Sequence, residues 1–73
     1  MKVLFIDSVH PAIEERLIEL GFKCDHDYKS SSEALKQKLS DYEGLVLRSR
    51  IPIDKGLLSA ASQLKFIARS GAG

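Results

Sequence analysis

The chain has 73 residues, a net charge of +1, 29% charged residues and a single cysteine. That length holds one domain near the lower size limit of a single hydrophobic core, and the even charge balance gives no basic footprint for nucleic acid and no acidic tail. Cys24 has no partner for an internal disulfide. No apolar run approaches the about 18 residues of a membrane span, and the absence of a signal-peptide pattern predicts a cytoplasmic protein with neither nucleic acid nor membrane as partner.

Val3, Leu4, Phe5 and Ile6 form an uninterrupted apolar run ending at Asp7-Ser8, as a parallel strand buried on both faces requires. Pro11 then suits a first helical turn, where a missing N–H costs little. Ile13, Leu17 and Leu20 recur near helical spacing among Glu14, Glu15, Arg16 and Glu19, and Gly21 supplies a stop, which predicts a helix over 10–20. Residues 22–28 mix aromatic, charged and small side chains, the pattern of an edge strand. Ser30 followed by Glu33 reads as a capping box opening a second helix with Ala34, Leu35 and Leu39, ending near Ser40. Leu45, Val46 and Leu47 form a third strand that breaks abruptly into Arg48, Ser49 and Arg50. Pro52 enforces an extended link, Asp54 caps a short helix carrying Leu57, Leu58 and Ala61, and 64–68 is a fourth strand leading into Arg69-Ser70-Gly71-Ala72-Gly73.

Four strands alternating with three helices predict an α/β fold with a parallel sheet, helices on both faces and the flavodoxin-like strand order 2-1-3-4. Ligands of open α/β sheets bind outside the carboxyl ends of the strands, and this order brings Asp7, Arg48 and Arg69 to one such crevice. Arg48, Ser49 and Arg50, with the segment from Arg69 to Gly73, then describe an oxyanion clamp: guanidinium forks match carboxylate or phosphate, and glycines let a ligand approach backbone N–H groups. The competing reading leaves the arginines as solvated strand-end charges paired with Asp41, Glu43 or Asp54.

Other constellations are weaker. Cys24, Asp25, His26 and Asp27 alternate faces along a strand and do not converge as metal ligands, and His10 reads as a helix-start residue; no metal is assigned. Ser49 lacks a neighbouring histidine base and nucleophile-elbow glycines. Gly71-Ala72-Gly73 is not followed by the third glycine and helix of a dinucleotide fingerprint. Asp7 stands where a phosphoacceptor receiver domain carries an acid, but the acceptor aspartate of such domains ends strand three, where this chain has Arg48.

The stretch from Leu45 through Arg50, then Pro52 to Ala61, and finally Leu64 to Gly73 resembles the D-isomer-specific 2-hydroxyacid dehydrogenases. The opening Lys2-Val3-Leu4-Phe5-Ile6-Asp7 is similar to that family's first strand, so the likeness covers essentially the whole chain. The resemblance implies the incomplete first, substrate-binding lobe of a two-lobe enzyme, with an NAD-binding Rossmann domain absent from this chain. It implies that Arg48, Ser49 and Arg50 approach the carboxylate or phosphate of the substrate, that N–H groups around Gly71, Ala72 and Gly73 grip its carboxylate, and that Arg69 adds a phosphate contact. No catalytic and no cofactor-binding residue is expected within these residues. The implied substrate is a small anionic D-2-hydroxyacid, with 3-phosphoglycerate oxidised to 3-phosphohydroxypyruvate for L-serine as the leading case; the choice of hydroxyacid and of NAD or NADP stays open. The full-length protein is expected to be a homo-oligomer and the present chain alone to be inactive. A non-catalytic receiver-like regulatory module binding a small anion or a protein is the rival reading.

Overall fold

The computed structural model describes residues 1–48 and 54–69. Strands β1 (Lys2–Phe5), β2 (Lys23–His26), β3 (Gly44–Leu47) and β4 (Phe66–Arg69) alternate with helices α1 (Pro11–Glu19), α2 (Ser32–Lys38) and α3 (Lys55–Ala60). All neighbours run parallel in the order β2-β1-β3-β4, as the alternation of elements predicts. The two unbroken apolar runs occupy the centre. Val3, Leu4 and Val46 are fully buried, whereas the edge strands β2 and β4 show only intermediate and exposed positions.

Alternation along the strands divides the core. Leu4, Ile6, Leu45 and Leu47 pack with Leu35 and Leu39 of α2 and its extension, and with Leu57 and Ala61 of the α3 region. Val3, Phe5 and Val46 face the other way, toward Ile13 and Leu17 of α1 and toward Phe22 and Phe66. Full burial of an aliphatic or aromatic side chain stabilises by about 1.5–3 kcal/mol, so this two-sided core dominates the small chain's stability.

Local chemistry sets the boundaries. His10 caps α1 through Nδ1, which accepts from the Ala12 N–H at 3.1 Å, and Pro11 takes the first turn. At the far end Gly21 adopts φ +94°, its N–H donates to the Ile18 carbonyl and that of Phe22 to the Leu17 carbonyl, both at 3.0 Å. This is a Schellman stop, with Leu17 and Phe22 in the same apolar cluster. Leu20, expected on the buried stripe, is 60% exposed because it falls at the cap rather than on the helix face.

Several boundaries differ from expectation: β1 is Lys2–Phe5 rather than 3–6, β2 is Lys23–His26 rather than 22–28, and β4 starts at Phe66 rather than 64. The cap of α2 is Ser31, whose Oγ accepts from the Ala34 N–H at 3.3 Å; the Ser30 hydroxyl donates instead to Asp27 at 2.6 Å. The α-helix ends at Lys38 and tightens into a 3-10 turn over Leu39–Asp41. β4 includes Arg69, which sequence assigns to the exit loop, because its register pairs Leu47 with Arg69. Asp54 caps α3 as expected, accepting from the Leu57 N–H at 2.8 Å. Gly44 opens β3 because a Cβ there would lie 2.2 Å from the ring of Phe66, its partner across the sheet.

Candidate functional site

At the carboxyl ends of β1, β3 and β4 the chain turns from apolar to charged. Arg48 follows the buried Leu47, bends and is exposed. Its N–H donates to Asp7 Oδ2 at 2.5 Å, and its carbonyl accepts from Arg69 Nε at 3.2 Å. Asp7, Arg48 and Arg69 therefore meet at the carboxyl ends of neighbouring strands, as the strand order predicts. Ser49, Arg50, Gly71, Ala72 and Gly73, the other expected contacts, lie outside the described residues.

These strand ends suit a small anion. Two exposed guanidinium-bearing residues sit beside one another, and among the described residues Arg69 donates through its Nε–H to the Arg48 carbonyl, a bond that leaves the terminal N–H groups to address a ligand. Among the described residues, Glu43 accepts from the Lys2 N–H at 2.5 Å and Asp54 caps α3. The end of β3, where a receiver domain holds its acceptor aspartate, is cationic.

A second polar cluster organises the neighbouring β2 exit. Asp27 donates its own N–H to the Phe5 carbonyl at 2.8 Å. Its carboxylate accepts from the N–H groups of Lys29 and Ser30 at 3.2 and 2.9 Å, from the Ser30 hydroxyl at 2.6 Å and from Lys38 Nζ at 2.8 Å. The Lys38 ammonium, followed by the Ser30 donors, holds the carboxyl well below the ordinary carboxylate range. Sequence reading placed Asp27 on a solvated edge strand and missed this role; the Asp-x-x-Ser spacing to Ser30 was the available signal. On the same strand Asp25 accepts from the Tyr42 hydroxyl at 2.8 Å, and burial, aided by that bond, pushes the phenol up to about 12. Asp25 and Asp27 thus serve structural bonds, and His26 pairs with Glu14 at 2.8 Å across to α1.

The described glycines do not form a dinucleotide cradle. Gly21 ends a helix, Gly44 is covered by the Phe66 ring, and Gly56 lies in a short helix start already capped by Asp54. No helix among the described residues is long and apolar enough to cross a membrane.

The four-stranded parallel sheet with its helices defines an α/β domain, and comparison with known proteins specifies its family. The chain belongs to the D-isomer specific 2-hydroxyacid dehydrogenase family, whose catalytic-domain model matches residues 3–73. It is 35% identical over 72 residues to D-3-phosphoglycerate dehydrogenase of Sus scrofa, covering 99% of this chain and 14% of that protein. Its identity to D-3-phosphoglycerate dehydrogenase of Archaeoglobus fulgidus is 30% over 73 residues, covering 100% of this chain and again 14% of the relative. The chain therefore spans only 14% of the length of these curated relatives.

Solved structures agree on the fold. The TT0316 protein from Thermus thermophilus superposes with a TM-score of 0.83 at 24% identity, covering 100% of this chain and 24% of that one. The NADPH-dependent glyoxylate/hydroxypyruvate reductase of Sinorhizobium meliloti, in complex with citrate, gives 0.71 at 22% identity over 99% of this chain and 22% of its own.

Proposed function

We propose that this chain is the N-terminal substrate-binding segment of a cytoplasmic, homo-oligomeric, NAD-dependent dehydrogenase that oxidises 3-phosphoglycerate to 3-phosphohydroxypyruvate in L-serine biosynthesis. The observation that carries the reading is the junction of Arg48 and Arg69 at the strand ends, where Arg69 Nε meets the Arg48 carbonyl at 3.2 Å. Arginines at two adjoining strand ends offer positive charge to one ligand, and a substrate with both a phosphate and a carboxylate can use both. The curated relatives named above support the same substrate. In this reading Arg48, Arg50 and Arg69 bind and orient the anionic groups, Ser49 and the N–H groups of Gly71, Ala72 and Gly73 complete the clamp, and the cofactor is held outside this chain.

The test is to express the full-length protein and measure reduction of NAD and of NADP with 3-phosphoglycerate and with D-2-hydroxyacids that lack phosphate. The expected result is the highest kcat/KM for 3-phosphoglycerate with NAD. Preference for an unphosphorylated hydroxyacid would overturn the substrate assignment, and preference for NADP the cofactor assignment.

A further inference from the structure

The main chain of Arg48 stands one residue past the end of β3 (Gly44–Leu47). The β1–β3 register pairs Phe5 with Val46, and the ladder continues one step further as the Ile6 N–H donates to the Val46 carbonyl at 3.0 Å. Counting on in the same register sets residue 7 beside residue 48. There the Asp7 carboxylate, not a backbone carbonyl, takes the Arg48 N–H, at 2.5 Å. From the opposite strand the Arg69 side chain takes the Arg48 carbonyl. Both polar groups of this main-chain unit are thus held by side chains, Asp7 just past β1 and Arg69 at the end of β4.

We propose that Asp7 is a positioning residue of the anion site, acting through Arg48, with Arg69 as its counterpart on the carbonyl side. This rests on the reading of Arg48 as a substrate contact. An exposed arginine just beyond a strand loses much of its value if its own Cα wanders, since the ligand must then order backbone as well as side chain. Two charge-assisted bonds to the main chain order it beforehand. The bond from the Arg48 N–H needs an acceptor oxygen at residue 7 rather than a charge. Asparagine, which keeps an acceptor oxygen and drops the charge, is therefore predicted to replace it.

The experiment uses the full-length enzyme, with 3-phosphoglycerate as probe and NAD saturating. Asp7→Ala is expected to raise KM about five- to tenfold with kcat changed less than about twofold, because the order it supplies serves ground and transition states alike. Asp7→Asn is expected to return KM to the wild-type value. In an Arg48→Ala background Asp7→Ala is expected to add nothing further, the coupling that separates a residue acting through Arg48 from one touching substrate. Should Asp7→Ala fail to fold, Asp7→Glu, which keeps the charge and displaces the acceptor by one methylene, is expected to show the same raised KM. An unchanged KM in Asp7→Ala, an Asp7→Asn variant as impaired as the alanine, or multiplicative effects with Arg48→Ala would each overturn the proposal. An Arg48→Ala variant that itself binds substrate normally would overturn the clamp beneath it, so the two failures are separable.

Discussion

Removing the Arg48 side chain is a clean perturbation because the fold does not depend on it. The side chain is exposed, and the bonds that tie Arg48 into the sheet run through its N–H and carbonyl, which alanine keeps. Arg48→Ala should therefore leave the melting temperature of the full-length protein unchanged while deleting one charge-assisted contact to the substrate. Such a contact contributes about 1.5–3 kcal/mol, which is about ten- to a hundredfold in kcat/KM. The loss should appear mainly in KM, since a remote anion is gripped equally before and during the chemical step. Exposure adds a second signature: the penalty should shrink as salt is raised from about 0.1 M toward 1 M, where screening reaches only about 3 Å. Arg48→Lys should recover part of the loss, keeping the charge without the fork. The assay is steady-state kinetics with 3-phosphoglycerate and saturating NAD at both salt levels, beside a thermal melt. An unchanged kcat/KM, or a lowered melting temperature that accounts for the loss, would refute the reasoning.

Arg50→Ala is predicted to raise KM in the same assay by a similar factor, and an unchanged value would remove Arg50 from the clamp. For Asp27, whose carboxyl is held low by Lys38 and Ser30, stabilisation is full above the ordinary carboxylate pKa of about 3.9 and is lost as pH falls below it. Asp27→Asn should therefore lower the unfolding free energy at pH 7 by about 1 kcal/mol, read by denaturant melts, because Lys38 is 43% exposed and its contact is screened, and the gap to wild type should close below about pH 4; a gap independent of pH would contradict this. Gly44→Ala should destabilise by about 1–3 kcal/mol through the Phe66 ring, with partial relief from a second change Phe66→Leu, as read by denaturant melts. The 73-residue chain alone is expected to reduce no NAD and to melt at a temperature that rises with its concentration, since Phe66 and Ala68 of edge strand β4 line an open apolar groove of about 330 Å³ with Ile13 and Leu17. Activity of this chain, or a concentration-independent monomeric melt, would contradict that pair of expectations.

How far the sequence could be read depended on how local each cause was. The central strands were legible because full burial on two faces demands an unbroken apolar run, and 3–6 and 45–47 are the runs that end in charge. The edge position of β2 followed from its mixed composition, and His10, Pro11 and Gly21 bounded α1 through interactions within a few residues. The α2 cap was misplaced because Ser30 and Ser31 both precede the helix and only Ser30 has Glu33 three residues on. What decides between them is Asp27, which claims Ser30 with the help of Lys38, a contact that exists only once α2 has folded back over the strand exit. The Arg69 boundary likewise depended on register, which no single strand contains.

The same distinction explains why the candidate site was half legible. Residue types sufficed to bring Arg48 and Arg69 to one end of the sheet, because strand order and strand ends follow from the apolar pattern. That Asp7 holds the Arg48 N–H follows only from the register that sets residue 7 beside residue 48. At this position an apolar residue would satisfy the hydrophobic pattern as well as aspartate and would leave the N–H without its acceptor from β1. The requirement at residue 7 is therefore a hydrogen-bonding one imposed by the neighbouring strand.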